Sequence, residues 1–475
     1  MLDNNIQHHI VLIQRGMWKV KIGYASVDIT PDLGVELSGY GWFLGRKAEG
    51  VLDKLYARAV AFKGNSENDA GGYSGNNAGS NTKIDTTENS TYNNIFGNIV
   101  NNTKSMLLIN CDLVALKQSI TNIVKQQISS ELGIDEKNIM IVCTHTHTGP
   151  ATGKLIGCGE PDDKYLASLP KLLVSVGKMA FRSLKEVKEV KSVVELINPI
   201  GFNRVFGSDG PVDSNVQGIA FYFDDGRPLA LVSYGCHPVT IGPAKDISAD
   251  YPGKVVKALD NEGFDGVFLT GFCGDIDPVS NLEKWGSGTW KTIDEYGRRI
   301  ADGFINGISK CKPMNNLNLD AFNIGITLKL QRYNNEDIVE LVETLGNEKE
   351  ENPGIYRAAL IWAEEMRRQL EENVNPYFES LTIQIFRIGD VVFAGFPGEI
   401  FTALGTIIKE AMPHMNIITL GSTNSTMRYI STQDDIQNKG YAGFLSCVLY
   451  HRLPLELGEG EQMAKAAAET IKSRL

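Results

Sequence analysis

The stretch Asn138-Ile-Met-Ile-Val-Cys-Thr-His-Thr-His-Thr-Gly-Pro150 joins a short apolar run to a loop that carries two histidines. Such a run, rich in β-branched residues and followed by turn residues, predicts a buried strand over residues 138–143. His145 and His147 come directly after it. Side chains two positions apart in an extended segment point to the same side, so we expect both imidazoles to face one site.

Similar strand-like runs alternate with helical apolar spacing along the rest of the chain. The predicted strands are 105–116, 193–196, 218–223, 229–235 and 266–271, and the predicted helices are 117–132, 165–187, 252–261 and 292–309. This alternation predicts an α/β fold rather than an all-β fold. No internal repeat is visible, which argues against a solenoid or a propeller.

Three segments differ from this pattern. Residues 1–18 are predicted to be an N-terminal tail, and residues 19–475 to form one domain. Residues 65–104 are rich in Asn, Gly, Ser and Thr, so they are predicted to be a long flexible loop between two strands. Residues 334–373 are charged and helical in pattern with a break at Pro353, which predicts a helical excursion on the surface.

Charge and hydropathy exclude several classes of protein. The formal net charge of -11 argues against nucleic-acid binding, which needs a basic face to meet phosphates. The longest apolar runs, such as residues 391–396, are far shorter than the roughly 20 residues that cross a bilayer, so no stable membrane insertion is expected. The N-terminus does not resemble a signal peptide, and the seven scattered cysteines contain no CxxC pair. We therefore predict a cytoplasmic protein, of undetermined oligomeric state, without a disulfide framework.

A third histidine has the same kind of surroundings as the first two. His237 lies in Gly235-Cys-His-Pro-Val239, where another predicted strand ends. Active sites of open α/β sheets collect at such strand ends. On spacing alone, however, a His-x-His pair is more often hydrogen-bonded to its neighbours than bound to a metal. Both interpretations remain open at this point.

Several short segments, taken in order, resemble the catalytic domain of the neutral ceramidases. His145-Thr-His-Thr-Gly-Pro150 resembles the HTHSGP signature of that family. The other matching segments, from about Lys21 to about Tyr450, are Gly23–Pro31, Leu55–Ala59, His237–Val239 with Ser248–Gly253, Gly274–Pro278, Phe396–Glu399, and Tyr429–Thr432 with Tyr441. The resemblance implies one mixed-sheet α/β catalytic domain. Ceramidases of this family carry a further immunoglobulin-like domain at the C-terminus, which we do not expect here.

The resemblance also implies a zinc site and its surroundings. The zinc ligands of the family fall on His145, His237, Glu399 and Tyr429. Imidazole and carboxylate are ordinary zinc ligands. His147 would then be a proton-handling group beside the ligands. The family's active-site arginine falls on Arg204, suited to an oxyanion, and its second tyrosine falls on Tyr441, a possible donor to the substrate.

Without the resemblance, each of these residues has a plainer interpretation. Glu399 follows Pro-Gly and could cap a helix or lie in its first turn. Tyr429 and Tyr441 could be packed aromatic residues with a solvated hydroxyl. Arg204 could be a surface charge or a salt-bridge partner.

The chain departs from the family at the position of its nucleophilic serine, which is Asp277 here. Aspartate cannot form an alkoxide. It can act as a general base on zinc-activated water, attack as a carboxylate, or hold a cationic substrate group. Of these three roles for Asp277, we favour that of general base. Asp275 in the same loop is the competitor for that role, or caps a helix.

These observations predict a zinc-dependent hydrolase that cleaves an N-acyl amide in a small molecule. An esterase or lactonase with the same zinc site is an alternative, because both reactions need the same polarisation of a carbonyl group. A catalytically silent ligand-binding homologue is the alternative from a different class. We expect little activity on membrane-embedded ceramide.

Overall fold

Two β-sheets stacked face to face form the centre of the protein in the computed structural model, which describes residues 20–64, 105–153, 155–347, 349–372 and 377–475. The predicted tail, 1–18, and the predicted loop, 65–104, lie outside the described residues. The strands that flank this second segment are antiparallel neighbours, with Lys63 directly opposite Ser105.

The strands of the described residues, in chain order, are β1 (Lys21–Asp28), β2 (Gly50–Val51), β3 (Tyr56–Lys63), β4 (Ser105–Cys111), β5 (Ile139–Cys143), β6 (Lys185–Leu196), β7 (Gly201–Asn203), β8 (Asn215–Phe223), β9 (Leu229–Tyr234), β10 (Asp246–Ile247), β11 (Asp265–Thr270), β12 (Ile276–Pro278), β13 (Leu319–Lys329), β14 (Phe378–Ile388), β15 (Val391–Gly395), β16 (Glu399–Ile400), β17 (Asn416–Leu420) and β18 (Tyr429–Ile430). The α-helices are α1 (Gln118–Leu132), α2 (Asp163–Arg182), α3 (Asp250–Asn261), α4 (Trp290–Lys310), α5 (Asn335–Gly346), α6 (Pro353–Glu371), α7 (Thr402–Glu410), α8 (Gln433–Gln437), α9 (Ser446–Leu449) and α10 (Glu459–Arg474).

Both large sheets mix parallel and antiparallel neighbours. The larger sheet has eight strands in the order β11-β9-β8-β6-β1-β3-β4-β5, in which β4–β5 and β9–β11 are parallel pairs. The smaller sheet has four strands in the order β13-β14-β15-β17, in which β15–β17 is parallel. Three short two-stranded pairs, β2–β10, β7–β12 and β16–β18, lie outside these sheets. The predicted mixed-sheet α/β fold is confirmed.

Helices cover the outer face of each sheet, so the molecule has a helix, sheet, sheet, helix layering. Between the sheets, Leu108 and Ile219 of the larger sheet pack in one cluster with Phe386 and Phe393 of the smaller. Helices α1 to α4 bury the other face of the larger sheet, and α5, α6, α7 and α10 cover the smaller one. Each sheet is thus apolar on both faces, as buried sheets require. No helix among the described residues is both long and apolar enough to cross a bilayer.

One predicted helix is too long. The prediction of helix over residues 165–187 and of strand only over 193–196 is wrong, because α2 ends at Arg182 and β6 already begins at Lys185. The valines of β6 recur at intervals of three, as Val187, Val190 and Val193, which is a helical spacing. The register of β6 against β8 shifts between Val187 and Glu189. This irregularity shifts the alternation of side chains by one residue, so a helix-like spacing occurs within a strand.

Two helices within the predicted helical excursion, Asn335–Gly346 and Pro353–Glu371, pack their apolar faces into the core. Pro353 begins α6, where its missing N–H costs no helical hydrogen bond. Trp362 is fully buried, and its Nε1–H donates to the carbonyl of Arg452 at 2.8 Å. The charged residues that suggested a surface position lie on the outer faces of amphipathic helices.

Candidate metal centre

The residues singled out from the sequence follow the carboxyl ends of strands that have parallel partners. His145 follows β5, His237 follows β9, and Asp277 follows β11. Glu399 follows β15, and Tyr429 follows its parallel neighbour β17. Carboxyl ends of parallel strands collect ligand-binding loops at one edge of a sheet. The two stacked sheets bring these edges together, since Cys143 N–H donates to the carbonyl of Ser422, just beyond β17.

His145 turns into the site through a left-handed backbone conformation. The expected extended segment is not present, because His145 has a φ of 67°, a region that few residues other than glycine adopt. His145 and His147 nevertheless converge, with ring centroids 4.9 Å apart. His145 Nδ1 lies 2.7 Å from the carbonyl oxygen of Val114, which can only accept. Nδ1 therefore donates to that carbonyl, and Nε2 is the ring nitrogen that faces the site.

His237 has the same arrangement. It is fully buried, and its Nδ1 lies 3.3 Å from the carbonyl oxygen of Ile276. Its Nε2 lies 2.9 Å from Oε2 of Glu399. Burial lowers the pKa of His237, and the nearby Arg204 lowers it further. A neutral imidazole with its outer nitrogen tied to a carbonyl is the form that binds metals.

Glu399 and Tyr429 enter the site as direct partners across the two-stranded pair β16–β18. Oε2 of Glu399 lies 3.2 Å from Nε2 of His145 as well as 2.9 Å from Nε2 of His237. The hydroxyl of Tyr429 lies 3.3 Å from Nε2 of His237. Glu399 is a strand residue, and α7 begins only at Thr402, so the alternative of a helix cap at Glu399 is wrong.

The spacing of these four groups fits a metal ion. Bonds of about 2.0 Å in a tetrahedral site place ligand atoms about 3.3 Å apart. Three contacts within this set have distances of 2.9 to 3.3 Å: Glu399 with His145, Glu399 with His237, and Tyr429 with His237. Burial alone would raise the pKa of Glu399, but the two histidines hold it well below its ordinary value. Two imidazoles and a carboxylate that converge in one buried site are a donor set for a divalent cation.

His147 adds a third imidazole beside this set. The metal-binding atoms of His145, His147 and His237 lie within 4.8 Å of one another. The ring of His147 packs against Gly39, where a Cβ atom would come within 2.4 Å of it. Burial lowers the pKa of His147 well below its ordinary value, and the neighbouring histidines lower it further. His147 is thus a neutral group next to the cluster, able to accept or donate a proton.

Arg204 reaches the site from β7. The antiparallel pair β7–β12 sets Phe202 opposite Asp277, and Arg204 follows two residues later. Its Nη1 lies 3.1 Å from Oδ1 of Asp277, and its Nη2 donates to the hydroxyl of Tyr429 at 3.1 Å and to the carbonyl of Gly274 at 2.8 Å. Arg204 is therefore a salt-bridge partner that also contacts a candidate ligand, rather than a surface charge.

Both carboxylate oxygens of Asp275 are engaged in hydrogen bonds away from the histidine cluster. Its Oδ1 accepts from the backbone N–H and the hydroxyl of Thr402, and its Oδ2 accepts from Asn203. Thr402 is the first residue of α7, so Asp275 caps that helix from a distant part of the chain. Of the two loop aspartates, Asp277 is the one that pairs with Arg204, which in turn contacts the candidate ligand Tyr429.

Tyr441 lies at the mouth of the site. It is 42% exposed, and its ring lies 5.7 Å from that of Tyr429. The guanidinium carbon of Arg204 lies 5.8 Å from the Tyr441 ring centroid. The chain around it, Tyr441–Leu445, is a π-helical turn, a form that often occurs at functional sites.

Tyr450 is a site residue that the sequence reasoning missed. Its buried hydroxyl donates to Oε1 of Glu399, the oxygen that does not face the histidines. This contact fixes the orientation of the carboxylate, as partners of metal ligands commonly do. Tyr450 lay at the end of the ceramidase resemblance, but no motif marked it as a contact of Glu399.

The fold and the cluster together define an α/β protein in which His145, His147 and His237 lie close enough together to hold a metal ion. Glu399 contacts two of these histidines. The structure of this protein is similar to that of the neutral ceramidase from Pseudomonas aeruginosa, with a TM-score of 0.67 and 17% identity over 97% of this chain and 75% of that chain. It is also similar to a ceramidase complexed with C2, with a TM-score of 0.68 and 16% identity over 97% of this chain and 76% of that chain. At this identity the likeness establishes the fold, which is the one that the resemblance implied. No protein-family model matches the sequence, and neither does any curated protein.

Proposed function

We propose that the protein is a zinc-dependent hydrolase that cleaves an amide bond in a small molecule. The observation that supports this most directly is the position of Glu399, whose Oε2 lies within 3.2 Å of the outer nitrogens of both His145 and His237. His145, His237, Glu399 and Tyr429 would hold the ion. When bound, zinc lowers the pKa of water and polarises a carbonyl oxygen.

Asp277 is the proposed general base. Arg204 engages Oδ1 of its carboxylate, so we assign the proton of the attacking water to Oδ2. The oxygen of that water forms a bond to the acyl carbon, and the proton passes from Asp277 to the amine nitrogen as the C–N bond breaks. The products are a carboxylic acid and an amine.

Arg204 would stabilise the tetrahedral oxygen. The guanidinium of Arg204 is held in one position, because it also donates to Tyr429 and to the Gly274 carbonyl. A preorganised cation beside a developing oxyanion is worth more than a mobile one. His147, which is half-buried, and Tyr441, which is exposed, would supply further hydrogen bonds to the substrate.

A panel of acyl amides and acyl esters with identical acyl groups tests the reaction class on the zinc-loaded protein. Hydrolysis of the amides at about 1 per second or more, lost in Asp277→Ala, is expected. Cleavage of the esters alone would make the protein an esterase. Tight binding of the compounds without turnover would make it a ligand-binding protein.

A single turnover in heavy-oxygen water separates the base from a nucleophile. Attack by Asp277 on the acyl carbon would form a mixed anhydride, and water attack at the aspartate carbonyl would leave heavy oxygen in its carboxylate. With Asp277 as base, no label enters the protein. Label in the peptide that contains Asp277 would overturn the proposed mechanism.

A further inference from the structure

The hydroxyl of Tyr40 is buried and makes no hydrogen bond to any part of the chain that the structure describes. Tyr40 as a whole is 2% exposed. Buried hydroxyl groups are nearly always paired, because an unpaired one destabilises the fold. A buried donor without a partner therefore needs another explanation, and a bound ligand supplies one.

Tyr40 lies between the histidine cluster and the surface. Its ring centroid is 5.4 Å from that of His147 on one side and 5.1 Å from that of Trp285 on the other. Trp285 is 48% exposed. These rings make a continuous row of aromatic contacts from the exposed Trp285 to His147, beside the candidate metal centre.

Tyr40 is held rigidly in this place. The guanidinium of Arg46 stacks on its ring at 4.7 Å from the centroid. The N–H groups of Arg46 donate to the backbone carbonyls of Ser38, His147 and Ala244 at 2.6 to 2.9 Å. These bonds tie the ring of Tyr40 to the backbone of the histidine loop, so the hydroxyl has a fixed position.

The loop that carries Trp285 is anchored as well. The backbone N–H of Gly286 donates to Oδ1 of Asn281 at 3.0 Å. Gly286 also lies directly on Gly242, and a Cβ atom at Gly286 would come within 2.7 Å of the Gly242 Cα. An exposed tryptophan on an anchored loop, next to a buried unpaired hydroxyl, has the composition of a binding site.

The charges around Tyr40 restrict what can bind there. Burial raises the pKa of Tyr40 well above its ordinary value, and Asp250 and Asp277 raise it further against the effect of Arg46, so the phenol is neutral. A cationic ligand group would meet Arg46, and an anionic one would meet the two carboxylates. A neutral group that both donates and accepts hydrogen bonds avoids both repulsions.

We propose that Tyr40 and Trp285 form a specificity subsite that binds an uncharged hydrogen-bonding group of the substrate, a hydroxyl or carboxamide, near the bond that is cleaved. The subsite rests on the proposed function, since it defines the substrate of the same centre. Tyr40 is its hydrogen-bonding residue, and Trp285 covers the apolar part of the same substrate segment.

Stability gives the first test. Tyr40→Phe removes the hydroxyl alone and leaves the ring between His147, Trp285 and Arg46. Its melting temperature should equal or exceed that of the wild type, because no internal hydrogen bond is lost. Tyr165→Phe is the matched control, since that buried hydroxyl donates to the Ile29 carbonyl at 2.7 Å and its loss should lower the melting temperature. An equal fall in both variants would overturn the proposal.

Ligand preference gives the second test, on the zinc-loaded full chain. One probe pair is N-hexanoyl-2-aminoethanol and N-hexanoylpropylamine, and the other is 2-hydroxyhexanoyl propylamide and the same N-hexanoylpropylamine. Calorimetric Kd is measured, and kcat/KM replaces it for any probe that is cleaved. The wild type should prefer the hydroxylated member of at least one pair about tenfold. In Tyr40→Phe this preference should fall to less than twofold, because the affinity or kcat/KM for the hydroxylated member alone decreases.

The outcomes separate the subsite from the proposed function. If the function is wrong, no probe is cleaved but the binding preference and its loss in Tyr40→Phe persist. If the subsite is wrong, probes are cleaved without a preference in either pair, or with one that Tyr40→Phe leaves unchanged. Failure of the wild type to bind any of the three probes would also overturn the subsite.

Discussion

Arg204 and Asp277 form an ion pair at the candidate centre, with Nη1 3.1 Å from Oδ1. The pair lies where the resemblance to the neutral ceramidases is broken, at the position of their nucleophilic serine. The Asp277 side chain is 5% exposed and that of Arg204 is 22% exposed, so each charge depends on the other. The aspartate is therefore built into the site together with the arginine that contacts Tyr429.

The ion pair predicts a stability coupling. Arg204→Ala leaves a buried carboxylate without its counter-charge and should lower the free energy of unfolding by on the order of 2 to 4 kcal/mol. Asp277→Asn in the Arg204→Ala background removes that charge and should restore part of the loss. Denaturant unfolding of the two single variants and the double variant measures the coupling. Strictly additive losses would mean that the two charges do not interact.

The metal centre predicts a histidine-specific loss of zinc. Purified wild type should contain about one zinc per chain, and His237→Ala should contain much less, because Nε2 of His237 belongs to the proposed donor set. His414→Ala is the matched control, since His414 is exposed just before β17, at the end of that strand away from the site. Elemental analysis measures the zinc content per chain of the three proteins. Equal zinc in the wild type and His237→Ala would contradict the ligand assignment.

Tyr450 is expected to tune the metal affinity without touching the metal. Tyr450→Phe removes the hydrogen bond to Oε1 of Glu399 and frees the carboxylate to rotate. Loss of such a partner commonly weakens metal binding about 10-fold to 100-fold. Competition with a chelator of known zinc affinity measures the change, with Tyr165→Phe as a control for loss of a buried hydroxyl elsewhere. Unchanged affinity in Tyr450→Phe would show that the hydrogen bond does not orient a ligand.

Asp250 predicts a pH dependence of stability. Burial raises the pKa of Asp250 from 3.8 to about 6. The pKa of Asp250 is higher in the folded state than in the unfolded state, so protonation of this carboxyl stabilises the folded protein. This stabilisation is complete below the unfolded pKa and is lost as the pH rises through about 6. Two pKa units correspond to about 3 kcal/mol.

Asp250→Asn isolates this effect. Asparagine tolerates the left-handed backbone of Asp250, which has a φ of 53°, and does not titrate. Between about pH 4 and about pH 7, the free energy of unfolding of the wild type should fall by about 2 kcal/mol relative to the variant. A constant difference across that range would mean that the buried carboxyl keeps its ordinary pKa.

Residues 65–104 are expected to be dispensable. The flanking strands place Lys63 opposite Ser105, so a short connection can close the gap, and loop length itself changes the closure entropy only slowly. A protein in which a short Gly/Ser linker replaces residues 65–104 should keep its zinc content and melting temperature. A large fall in melting temperature would show that the segment contributes to the core.

The α/β class could be predicted from the sequence because local apolar patterns are sufficient for it. The run before His145 predicted β5, and similar runs predicted β9 and β11 close to their observed bounds. The pattern failed at β6, where the register shift next to Val187 gives a strand a helical spacing. Local periodicity cannot distinguish these cases, because a bulge is defined by the partner strand.

The sequence alone was sufficient to single out the segments that meet at the candidate site: the histidine loop, the Gly274–Pro278 loop and the Pro-Gly-Glu399 turn. Only the tertiary structure decided how their side chains are paired. It sets Glu399 opposite Tyr429 and places Asp275 as a cap on the N-terminus of α7. It also brings the hydroxyl of Tyr450 to Oε1 of Glu399. The physical reason is distance along the chain. Asp275 and Thr402 are 127 residues apart, and contacts of that kind arise from the stacking of two sheets, which leaves no local periodicity in the sequence.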